Sequence, residues 1–209
     1  MVDYQVARSI LGADFISADE IATARGLAYT KEQLTLLERK LPDQATLEAF
    51  RNTGMAIVAR PPTAMTMLDV RAINAEFFHS RRPEQNDSAW YDQESEKFAC
   101  TDRVEALGWI AFYKKPVEGS LGKTWTDQRA LVARPMMVMN AAEATWALTT
   151  YKAVRDIYLL DKLGVRTSSQ VSGGDRVSVG IFDAKGLSVY SYWDDSRGGD
   201  LGLSAGRKF

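Results

Sequence analysis

The chain is poor in the residues on which many reactive sites depend. Its 209 residues include one cysteine, Cys100, and one histidine, His79. A lone cysteine closes no disulfide within the chain, which fits a reducing compartment. One histidine and one cysteine also exclude an ordinary Cys/His zinc site built by a single chain. An excess of one charge is missing too. Twenty-six basic residues face twenty-seven acidic ones, for a net charge of −1. No basic stripe stands out, so nucleic acid is not an expected partner. No apolar run approaches the ~18 residues of a membrane-crossing helix. The opening MVDYQVARSI has neither a basic nor an apolar leader region, so no signal peptide is expected. A cytoplasmic location without a membrane partner is the resulting expectation. No repeat and no low-complexity linker divides the sequence.

What is present is ordinary globular material, 45% hydrophobic and 25% charged, enough for a core without a metal or disulfide staple. Helix-start signals are frequent. Ser17 with Glu20, Thr30 with Gln33 and Thr66 with Asp69 each set a capping hydroxyl three residues before a side chain that can answer it. They predict helices over Ala18–Arg25, over Lys31–Lys40 and from Thr66 toward Phe78; Asp43 caps another that Gly54 closes. Asn140 with Glu143 opens the longest helix, predicted over Ala141–Asp161. Its apolar stripe is Ala147, Tyr151, Val154 and Tyr158, with Lys152, Arg155 and Asp156 opposite. Met55–Ala59 and Ala106–Tyr113 read as buried strands, and a short helix is predicted after Thr126. Val165–Val171, Arg176–Asp183 and Leu187–Trp193 read as a β-meander in which Val177, Val179 and Ile181 share the inward face. The polar, aperiodic stretch His79–Arg103 reads as a loop of a length usually kept for function. Together these predict one α+β domain over 1–209: short helices over 1–54, then a body over 55–209 in which the long helix packs on a mainly antiparallel sheet.

Four patterns invite chemistry. Gly202, Ser204 and Gly206 spell G-x-S-x-G. A nucleophile elbow needs a strand before the serine, a helix after it, and an acid and a histidine further on. Too little chain follows, and His79 lies far upstream, so a glycine-rich tail packed on the sheet is expected. Gly122-Lys123-Thr124 is the second half of a phosphate-binding loop, but Val117 stands where the first glycine belongs and Pro116 removes an amide. The segment SYWDDSRGGD sets Trp193, Asp194, Asp195, Arg197 and Asp200 just beyond a strand end. Carboxylates there would suit Mg²⁺ and a phosphoester hydrolase; good turn chemistry is the simpler account. Finally, His79, Arg81 and Arg82 precede Trp90 and Tyr91, a combination that can grip an anion or stack on a base. The acids Glu84, Asp87, Asp92, Glu94 and Glu96 work against it.

Several phrases belong together: RPPTAMTMLDVR, KTWTDQRAL, NAAEATWAL, VRTSS followed by RVSVGIFDAKGLSVYSYWDD, and the closing GLSAGRKF. They resemble a group of uncharacterised bacterial proteins, over most of the chain from about Ser17 onward. The resemblance implies a bacterial cytoplasmic source and assigns no residue a catalytic role. Such proteins tend to carry alanine where Gly206 stands, which would make G-x-S-x-G fortuitous. The expectation is therefore a module that binds a small ligand or a protein partner, with no catalytic residue and no cofactor. Its candidate ligand residues are Trp193, Asp194, Asp195, Arg197 and His79. A magnesium-dependent phosphoester hydrolase on the same aspartates is the alternative, and a homodimer through an uncovered sheet edge stays open.

Overall fold

The computed structural model describes residues 2–79 and 90–209. The first part is helical because each helix brings its own cap. Helix α1 (Tyr4–Leu11) starts where the Asp3 carboxylate accepts the Val6 amide, 2.8 Å. After β1 (Phe15–Ile16), α2 (Ala18–Arg25) and α3 (Lys31–Arg39) open on the two capping boxes read from the sequence, and α4 (Gln44–Asn52) opens on Asp43. Gly26 ends α2 in the left-handed conformation that favours glycine. Strands β2 (Met55–Ala59) and β3 (Met65–Thr66), helix α5 (Met67–Ile73), helix α6 (Phe98–Thr101), and strands β4 (Arg103–Val104) and β5 (Trp109–Tyr113) follow. The remainder is α7 (Trp125–Ala130), α8 (Ala141–Arg155), β6 (Gly164–Gln170), β7 (Arg176–Asp183), β8 (Gly186–Tyr192), β9 (Leu201–Leu203) and β10 (Gly206–Lys208). The class is α+β, as the patterning predicts.

Two four-stranded sheets enclose the core. One runs β1-β2-β5-β10, the other β8-β7-β6-β9; β3 and β4 form a small ladder. Most pairs are antiparallel, but β1 runs parallel to β2 and β9 parallel to β6, so both large sheets are mixed. Helix α8 touches β2 of the first sheet and β6 and β7 of the second. Every residue from Ala141 to Tyr151 is therefore buried, the threonines included. A one-sided stripe fails here because the helix is the centre, not a cover. Ala and Thr let the neighbours come close, and the Thr145 and Thr149 hydroxyls spend themselves on the carbonyls of Ala141 and Thr145, one turn back. The helix also ends at Arg155 rather than Asp161. Asp156 turns left-handed (φ 56°), and Tyr158 folds edge-on to Phe182 at 5.1 Å instead of prolonging the helical face.

Three further expectations need correction. The stretch 79–103 is not one featureless loop: it contains a 3₁₀ turn at Trp90–Asp92, then α6 and β4. Tyr91, Phe98 and Ala99 pack with Met67, Ala141, Ala142 and Val177 in a second, smaller core, a spacing that carries no helical or strand period. Residues 80–89, Arg81 and Arg82 among them, lie outside the described residues. Ile181 does not share the inward face with Val177 and Val179. The β7–β8 ladder shifts register between Gly180 and Asp183, and Ile181, at φ 46°, is 37% exposed. Lastly, the closing residues are no tail. β9 joins the second sheet beside β6 and β10 joins the first beside β5, so the segment stitches the two sheets together.

Candidate functional site

The turn that carries Trp193, Asp194, Asp195 and Arg197 is held by a side chain from another strand, Arg166, through the Trp193 and Ser196 carbonyls. Arg166 lies on β6, in register with Leu203 of β9 on one side and with Ser178 of β7 on the other; Ser178 pairs in turn with Tyr190 of β8. Arg166 is 0% exposed. Its Nη2 donates to the Trp193 and Ser196 carbonyls, both at 2.8 Å. Its Nη1 donates to the Lys123 carbonyl at 3.1 Å and to Gln128 Oε1 at 3.0 Å. One guanidinium thus clamps the turn after β8 to the loop before α7. Burial lowers the Arg166 pKa, against the pull of nearby Asp194, Tyr192 and Asp195. A second arginine locks the rim. Arg176 Nε donates to Asp194 Oδ1 at 3.2 Å while its guanidinium lies 4.4 Å from the centre of the Trp125 ring. The Asp194 carbonyl takes the Trp125 amide at 2.7 Å.

On this anchored turn, Asp194, Asp195 and Arg197 are exposed, and Trp193 is 70% exposed. Beside it opens a cavity of about 330 Å³ lined by Trp125, Thr126, Arg129 and Ala130. His79 lies apart. Its amide donates to the Leu187 carbonyl at the start of β8, and six residues of strand, roughly 20 Å at ~3.3 Å each, separate Leu187 from Trp193. Trp90 Nε1 donates to the Val189 carbonyl at 2.8 Å. His79 and Trp90 therefore both lie against β8 and occupy its carbonyls at Leu187 and Val189.

The other patterns lose their chemistry to the backbone. Ser204 is buried between β9 and β10, where its amide and hydroxyl both donate to the Arg166 carbonyl, at 3.0 and 2.8 Å. The strand β10 follows it where an elbow would need a helix. In the phosphate-loop stretch, the amides of Ser120, Gly122 and Trp125 are committed to Val117, Gly198 and Asp194 carbonyls. Thr124 Oγ1 caps α7, accepting the Asp127 amide. Lys123 does precede a helix, but the preceding strand, β5, has antiparallel neighbours on both sides. Asp194, Asp195 and Asp200 do not converge: among the described residues no group of three or more His, Cys, Asp or Glu side chains is placed to hold a metal.

Sequence reading missed Arg166, Gln128 and Trp125, on which the site depends. Arg166 and Gln128 sit in stretches expected to be strand and helix, and Trp125 lies just before the expected helix start, but the contacts that matter span 38 residues for Arg166–Gln128 and 27 for Arg166–Trp193. A charged side chain within VRTSSQ was the one available hint. Among the described residues no helix is long and apolar enough to cross a membrane. Comparison with models of known protein families, with curated proteins and with solved structures finds no match.

Proposed function

We propose that this protein is a binding module whose docking element is the turn 193–199 and whose partner is another protein. The supporting observation is the contrast at Trp193. Its indole is 70% exposed, while its own carbonyl is tied to a buried guanidinium. Exposing a tryptophan to water is costly. Holding it on a turn that is already ordered removes much of the entropy a partner would otherwise have to overcome. Tryptophan and arginine are the residues on which interface energy concentrates; Arg197 is exposed on the same turn and Arg129 lines the cavity. The phosphoester-hydrolase reading finds no support in the arrangement, since Asp194 is spent on Arg176.

The test uses wild-type protein and Trp193→Ala as paired baits in extract of the source cells. A partner retained by wild type and lost from the variant is then purified and titrated against wild type. Trp193 emission should shift to the blue and become shielded from acrylamide. Identical sets of retained proteins, or a titration that leaves acrylamide quenching unchanged, would refute the proposal.

A further inference from the structure

The sheet face beneath the turn holds two polar atoms that the described chain does not satisfy. Arg166 and Ser178 are direct cross-strand partners, so their side chains share a face, with Cβ atoms ~5 Å apart. Both residues are 0% exposed. Nη1 and Nη2 of Arg166 are used on four oxygens, all uncharged. Its Nε–H has no partner, and neither has Ser178 Oγ. No carboxylate among the described residues lies within ion-pair distance of this guanidinium, and Asp194, which is near enough to act on it, gives its carboxylate to Arg176.

The leftover groups are therefore an N–H and an O–H on one sheet face, beside a buried positive charge with no counter-ion in contact among the described residues. Burying a charge without a counter-ion is expensive even when it is hydrogen-bonded, and hydrogen bonds to an ion are the strong ones. We propose that Arg166 Nε and Ser178 Oγ form an enclosed site for a small monovalent anion of halide size, chloride in the cell. Because both residues are fully buried, a small monovalent anion suits the site better than sulfate, phosphate or a carboxylate. A water molecule would also accept from both groups, but its binding would not respond to salt identity.

The experiment follows melting temperature in sodium chloride, sodium bromide and sodium gluconate at equal ionic strength and fixed pH. In either halide the melting temperature should rise by roughly 3–5 °C per tenfold increase above the dissociation constant, and it should not in gluconate. Ser178→Ala should abolish the difference, while Ser188→Ala, further along the same face, should retain it. A crystal grown in bromide should show an anomalous peak between Arg166 Nε and Ser178 Oγ. Equal melting in halide and gluconate, or a bromide crystal without that peak, would overturn the proposal. Should Ser178→Ala not fold, the wild-type bromide peak alone decides.

Discussion

Replacing Arg166 by methionine is the sharpest probe of how this surface is built. Methionine keeps the unbranched stem but removes donors from four oxygens: the carbonyls of Trp193, Ser196 and Lys123, and Gln128 Oε1. Trp193 and Lys123 are exposed residues, so water can reach their carbonyls. Gln128 is fully buried and Ser196 is partly so, leaving two acceptors dry at ~1–3 kcal/mol each. Against that loss stands relief from holding a charge away from water, several kcal/mol in principle. The bonds should win, because four of them were needed to keep the charge there. A net loss of ~3 kcal/mol is expected, which for a chain of this size lowers the melting temperature by roughly 6–12 °C. Calorimetry and urea unfolding measure it. Limited proteolysis should show cleavage appearing first within 193–199, since the turn loses its anchor while both sheets persist. A variant as stable as wild type, or more stable, would show that desolvation of the guanidinium outweighs its bonds, and the account of a clamped turn would fail.

Trp193→Ala should leave stability within ~0.5 kcal/mol, because the indole is mostly in water, while removing the most readily quenched part of the tryptophan emission; a larger loss in thermal melts would show that the indole packs in solution. Gly164→Ala should destabilise by ~1–3 kcal/mol, since an added Cβ would lie 1.7 Å from the Tyr190 hydroxyl oxygen. Tyr190→Phe in the same chain should recover part of that loss, and a double-mutant cycle showing no coupling would contradict the close approach. Burial raises the pKa of Glu20, but the bonds from Arg8, Arg155 and the Ser17 amide outweigh it and hold the carboxyl at about 2. A depressed folded pKa contributes stability above the unfolded value of ~4.3 that is lost as pH falls toward about 2. Urea midpoints should therefore drop through that window, and Glu20→Gln, which keeps the helix cap, should flatten the slope.

How much of this was readable in advance divides by interaction range. All four capping boxes, at Ser17, Thr30, Thr66 and Asn140, sit where the sequence places them, because each is closed by atoms three residues apart. The three meander strands fall within a few residues of their predicted ends for the same reason: hairpin turns and strand alternation are short-range signals. The candidate turn residues were legible as turn chemistry beside an aromatic, but nothing nearby said that Arg166 would hold them. The burial of α8 on every side and the outward flip of Ile181 were illegible because a second sheet and a register shift decided them.

The amino-acid sequence by itself therefore determined where the capped helices α2, α3, α4, α5 and α8 begin, which of the longer runs become strands, and the α+β class. Only the tertiary structure decided that GLSAG links two strands of different sheets instead of forming a tail, that α8 is a core rather than a lid, and that a single arginine ties Lys123, Gln128, Trp193 and Ser196 into one surface. The physical reason is reach. A cap or a turn is paid for within four residues, whereas a buried guanidinium finds its acceptors wherever the folded backbone happens to bring carbonyl oxygens together.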